Sequence, residues 1–184
     1  MKISTKDFCV LHSACSDGRK WALGISDDLA VVWDAMISGH RLDWLLWTAT
    51  RPGVFSDRTL RLLACRFVRE TPLADGRKVW DLLTDQRSLA AVEAAERHAR
   101  GEATDAELAA AWAAARDAAR DAAWPADAAW AAAWGADAAR DAAWAAAAAA
   151  AWSAARDADA DAAADWAEAL DAQLSMVADL RNPF

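Results

Sequence analysis

Cys9, His12 and Cys15 follow one another as C-x2-H-x2-C, and thiolate and imidazole are the groups that ligate zinc. On one helix, residues at this spacing fan out over an arc of about 120°, whereas zinc takes four ligands at the corners of a tetrahedron. Without a fourth ligand and a break in the helix the three cannot meet one ion, so the cysteines are read as small buried apolar residues. His40 and His98 have no Ser or Cys nucleophile motif beside them and are read as capping or surface residues. Asp157, Asp159, Asp161 and Asp165 are dense enough to attract a cation. They lack the glycine and the ligand spacing of a calcium loop, which leaves a solvated acidic helix face. The residues predict no catalytic set, no metal and no cofactor.

A second pattern is better suited to binding than to catalysis. Trp112, Arg116, Arg120 and Trp124 are spaced by four, and Arg140 with Trp144 and Trp152 with Arg156 repeat that spacing. Residues four apart share a helix face, so a guanidinium can lie against an indole, which contributes about 0.5–1 kcal/mol when exposed. In the structural reading the indoles pack on other helices and the arginines cover their edges. In the functional reading Trp124, Trp130, Trp134, Trp144 and Trp152, with Arg140, Arg156, Asp157, Asp159 and Asp161, form a partner surface, because Trp and Arg are favoured anchors. Stacking a nucleotide base is a third use, but no glycine-rich phosphate loop accompanies it.

The elements that must carry these residues are helices. From Asp105 to Trp166 the chain is mostly alanine, the strongest helix former and a poor strand residue. AARDAAW at 118–124 returns at 138–144, and Trp112, Arg116 and Asp117 return 40 positions later as Trp152, Arg156 and Asp157. This points to a duplicated helical unit, and a kink or turn is expected near Trp124-Pro125 or Trp134-Gly135.

Capping signals divide the first half. Ser4 with Asp7 opens a helix towards Cys15, with Gly18 as a stop. Ser26, followed by two aspartates, opens a second that Gly39 closes. A third runs from Leu42 to the Pro52-Gly53 break. Phe55, Ser56 and Leu60 form a hydrophobic staple for a fourth, which must end before Pro72. A brief helical piece at 77–83 precedes a helix from Thr84 to Arg100, with Gly101 beyond its end. Thr104 and Glu107 make the clearest capping box and launch the alanine-rich half. No period-two apolar run appears, so no strand is predicted.

Charge is unevenly placed. Lys and Arg against Asp and Glu number 15 to 14 through Thr104 and 5 to 14 thereafter, so the net −8 is +1 in the first part and −9 in the second. An acidic half disfavours a phosphate backbone and favours either a protein with a basic surface as partner or plain solubility. The start, MKISTKDF, has no apolar signal core, and no non-alanine apolar run is long enough for a membrane span. Cys9, Cys15 and Cys65 form no disulfide framework. These features predict a cytoplasmic protein of a bacterial host cell, with self-association left open.

Between residues 43 and 108 the wording resembles a group of uncharacterised alanine-rich helical proteins of bacteria and their phages, some of them labelled as immunity proteins. The matching positions are D-W-L-L-W at 43–47, then Asp57, Arg58, Leu60, Leu62, Ala64 and Cys65, then 80–97, and 101–108. The resemblance implies a helical fold and a prokaryotic or phage origin, and carries over no catalytic residue.

The expectation is an all-α single domain over 1–184. A short-helix part (1–104) packs on a long alanine-rich hairpin or three-helix unit (105–184). The predicted function is a non-enzymatic protein that acts by occupying another macromolecule, as an immunity or phage anti-defence inhibitor does. The alternative is a small-molecule or nucleotide binder, a sponge, with a Trp-lined pocket between helices. An outward-turned apolar indole surface would favour the first, a closed aromatic cavity the second.

Overall fold

The computed structural model describes residues 3–73, 75–121 and 162–184. Its first helix, α1 (Thr5–Leu11), starts where the Ser4 hydroxyl accepts the Asp7 N–H at 3.1 Å. It closes at His12 instead of running to Cys15, because Ser13 turns into the left-handed region at φ 54°. Cys15 then begins α2 (Ser16–Ile25), its thiol accepting the Gly18 N–H at 3.3 Å. Gly18 is therefore not a stop but a first-turn residue. A Cβ there would stand 3.1 Å from Cys15 Sγ, so the thiol cap leaves little room for a side chain.

Asp28 caps α3 (Leu29–Ser38), while Ser26, expected as the cap, accepts the Asp28 N–H one turn earlier. Helix α4 (Leu42–Ala49) ends before Pro52, and α5 (Asp57–Glu70) begins at Ser56 with Phe55 packed near Leu60 as the staple requires. The piece at 77–83 is a single 3-10 turn, Val79–Leu82. Asp85, not Thr84, caps α6 (Gln86–Arg100), and Gly101 follows in the left-handed conformation at φ 82°. At the start of α7 (Asp105–Asp121) the Thr104 N–H donates to Glu107 at 2.7 Å and the Thr104 hydroxyl accepts the Glu107 N–H at 3.2 Å, closing the capping box. The last helix is α8 (Ala162–Ala178). The fold is all-α. Among the described residues there is no strand, only two isolated bridges, Ser4 with Asp28 and Pro72 with Lys78. The kink expected near Pro125 or Gly135 lies outside the described residues.

The four short helices α1–α4 follow one another in contact, α5 lies against α6, and α6 runs beside α7. Helix α8 returns to α4 and α5. Trp33, Phe67, Leu45, Leu60 and Leu63 are fully buried between these layers. The buried Gln173 amide donates to the Thr71 hydroxyl at 3.3 Å, so α8 meets the end of α5 through a polar contact inside the core. At the surface Arg66 bonds both Glu70 and Asp179, holding α5 to the residue just past α8. Phe184 lies edge-on to Phe8 at 5.6 Å and to Trp33 at 6.2 Å, which brings the described C-terminal segment onto α1 and α3. Among the described residues no helix is long and apolar enough to cross a membrane.

Candidate functional site

Helices α1–α4 line a cavity of about 180 Å³, largely apolar and open to solvent on one side. Its inner wall is Thr5, Phe8, Leu29, Val32 and Met36, all buried. Towards solvent it is framed by half-buried Trp21, Trp44 and Trp47, and then by the exposed Cys15 and Asp43. The helix period places Trp44 and Trp47 three residues apart on one face of α4, and Trp21 meets them from α2. Trp21 and Trp44 are tilted by 57° with centroids 5.1 Å apart, and Phe8 stands edge-on to Trp47 at 6.2 Å. Such tilted and edge-on pairs match the ring quadrupoles better than a face-to-face sandwich does.

Two arginines fix the outer rings. Arg41 lies 4.9 Å from the Trp44 ring centre and Arg51 lies 4.9 Å from that of Trp47. Arg51 Nε also donates to the Trp47 carbonyl at 2.9 Å, so its position is set by the helix end as well as by the ring. Inside the wall, Thr5 Oγ1 is buried with no hydrogen-bond partner among the described residues, and the Thr48 hydroxyl donates to Met36 Sδ at 3.9 Å. Burial pushes the Cys9 thiol above its ordinary pKa, against the pull of Arg19, so it lines the cavity as a neutral group. The cavity has rings, hydroxyls, the Cys9 and Cys15 thiols and the Asp43 carboxylate at its mouth, with no Lys, Arg or His in its wall.

The break between α1 and α2 changes the reading of the C-x2-H-x2-C spacing, since the three residues do not share a helix. Cys9 faces the core from α1, His12 ends that helix with its ring 4.5 Å from Phe8, and Cys15 caps α2. Cys15 is exposed, which corrects the expectation that both cysteines of this pattern are buried; Cys9 is buried as expected, and Cys65 is buried as well. Among the described residues no three His, Cys, Asp or Glu side chains converge to hold a metal ion. His40 is an exposed residue at φ 51° with its Nδ1 3.1 Å from Asp171, and His98 pairs through Nε2 with Asp105 at 2.7 Å.

The partner surface expected from Trp124, Trp130, Trp134, Trp144, Trp152, Arg140, Arg156, Asp157, Asp159 and Asp161 lies outside the described residues. One member of the same Trp/Arg pattern is described. Arg116 stacks on Trp112 at 4.6 Å, and this indole is half-buried against the core with its N–H sealed from solvent. There the pattern serves packing. Sequence reasoning missed the role of Trp21, Trp44 and Trp47; the i,i+3 spacing in D-W-L-L-W was the available signal, and nothing local tied Trp21 to it.

No family model, curated protein or solved structure matches the chain.

Proposed function

We propose that this is a non-enzymatic binding protein whose site is the aromatic cavity of α1–α4, taking a small ring-sized molecule. The observation that carries the reading is the cavity itself, about 180 Å³ walled by Phe8, Trp21, Trp44 and Trp47. An apolar void of about 150 Å³ suffices for a benzene ring. Rings packed around such a void supply the buried area that drives binding.

The test is a titration with toluene followed by thermal melting. Saturation at about 100 times Kd should stabilise the protein by about 2.7 kcal/mol, roughly 5–10 °C for a chain of this size. Ala22 is buried in the cavity wall, so Ala22→Leu extends a side chain into existing space. That variant should fold and lose the toluene response. An equal shift in both proteins would place toluene elsewhere and remove the support for the cavity.

One observation favours a second reading, a cytoplasmic inhibitor that occupies a basic protein: the −9 carried by residues 105–184. The resemblance to alanine-rich proteins labelled as immunity proteins accords with it. In this reading Trp144 and Trp152 are surface anchors, and Trp144→Ala and Trp152→Ala should leave the melting temperature nearly unchanged. A loss of about 3–5 kcal/mol in either variant would make that indole a core residue and remove it as an anchor.

A further inference from the structure

Every large apolar side chain that stands exposed among the described residues lies in the first three helices or just before them. These are Ile3, Val10, Leu11, Leu23, Ile25 and Val31, at 37%, 61%, 68%, 43%, 45% and 49% exposure. Single apolar residues scattered over a surface need no explanation, but six confined to residues 3–31 do.

The fold brings them together from neighbouring elements. On α1 the buried Thr5, Phe8 and Cys9 face the core, and Val10 and Leu11 share the opposite, exposed side with Lys6 and Asp7. Helix α1 lies against α2, which carries Leu23, and α2 lies against α3. The Ser4–Asp28 bridge, with the Thr5 N–H on the Asp27 carbonyl at 2.9 Å, ties the start of the chain to the α2–α3 connection. Ile3, Ile25 and Val31 each lie within three residues of that bridge.

Charge selects the occupant. Residues 1–31 hold four Lys or Arg and four Asp, a net of zero, so all of the −8 lies further along the chain. A basic partner finds its complement in the acidic half and not here, and a lipid surface is met by strongly basic amphipathic helices, which these are not. A second copy of the chain meets this surface without an excess of like charge at the contact. The area agrees. At these exposures the six side chains leave on the order of 500 Å² of apolar surface, near the upper end for a monomer, and a homodimer face of about 800 Å² per subunit that is about 65% apolar needs the same amount.

We propose that the outer side of α1–α3 is a self-association surface on which two copies of this chain pair about a two-fold axis. Val10 and Leu11, the most exposed of the six, are its main anchors.

Light scattering on the full chain from about 1 to about 100 µM checks this, because a face of this size holds a dimer in the micromolar range. The mass should rise from that of one chain to that of two. Leu11→Asp and Leu23→Asp each place a charge at an exposed position, so both should melt with the unaltered protein and raise the dissociation constant at least about thirtyfold. Raising NaCl from about 0.05 to about 0.5 M should tighten the dimer severalfold, because each chain carries −8 and salt screens that repulsion. A mass of one chain throughout would overturn the proposal, and flotation of that monomer with phosphatidylcholine vesicles would give the surface to lipid instead. A dimer that both aspartate variants leave intact, or that salt loosens, would place the contact on another face and equally overturn it. Should a variant fail to fold, the unaltered protein still decides. Amide exchange at residues 5–25 should slow as the concentration rises over the same range, and exchange independent of concentration there would refute the surface.

Discussion

Trp33→Ala should destabilise the protein by about 3–5 kcal/mol, whereas Trp21→Ala should cost less than half as much and weaken ligand binding in the cavity. Trp33 is 1% exposed and touches Phe55 and Phe184 edge-on, at 5.7 and 6.2 Å, so its ring joins α3 to the entry of α5 and to the C-terminal segment. Truncation leaves a void that none of these three distant segments can close without moving the others. Trp21 is half-buried at the cavity rim and shares its face with Trp44. Removing it widens a space that is already open. Urea unfolding of both variants, with toluene affinity measured on Trp21→Ala, checks the contrast. A Trp21 loss as large as that of Trp33 would make the rim ring a structural core residue.

The same contrast explains what the sequence revealed. Caps are local chemistry, and Ser4, Ser56, Thr104 and Gly101 were legible because a side chain or a left-handed turn acts within four residues. Helix α2 was missed because its two glycines, Gly18 and Gly24, look like breaks, and because a cysteine cap is outside the usual Ser, Thr, Asp and Asn set. What favours α2 is tertiary: Trp21 meets Trp44, and Ala22 is buried. A Trp-lined pocket was an open alternative, but its place among α1–α4 was illegible for the same reason. Its wall draws on four helices, and a void leaves no periodicity in the chain. The Trp/Arg spacing was read correctly as a stacking pair at Trp112 and Arg116, but spacing alone cannot say which side of the indole meets solvent.

The largest pH effect is expected from Cys65, on the alkaline side. This residue is 1% exposed, its thiol donating to the Val92 carbonyl at 3.8 Å, and burial, aided by the nearby Glu96 and opposed by Arg69, Arg61 and Arg100, pushes its pKa from 9.0 up to about 12. In the unfolded chain the thiol ionises near its ordinary value, while in the folded protein it keeps its proton. Between pH 9 and about 12 the unfolded state thus binds fewer protons, and stability falls as pH rises, by up to about 1.4 kcal/mol per unit and about 4 kcal/mol in all. The absence of Tyr removes the phenol titrations that would otherwise overlap this range. Cys65→Ala should be about 1 kcal/mol less stable at pH 7, from the small void it leaves, and should lose less stability above pH 9. The two proteins should therefore become equally stable near pH 10, with the variant the more stable beyond it. Urea midpoints measured under reducing conditions from pH 7 to 11 give the comparison, and parallel pH profiles would show that the Cys65 thiol ionises as readily in the folded protein as in the unfolded chain.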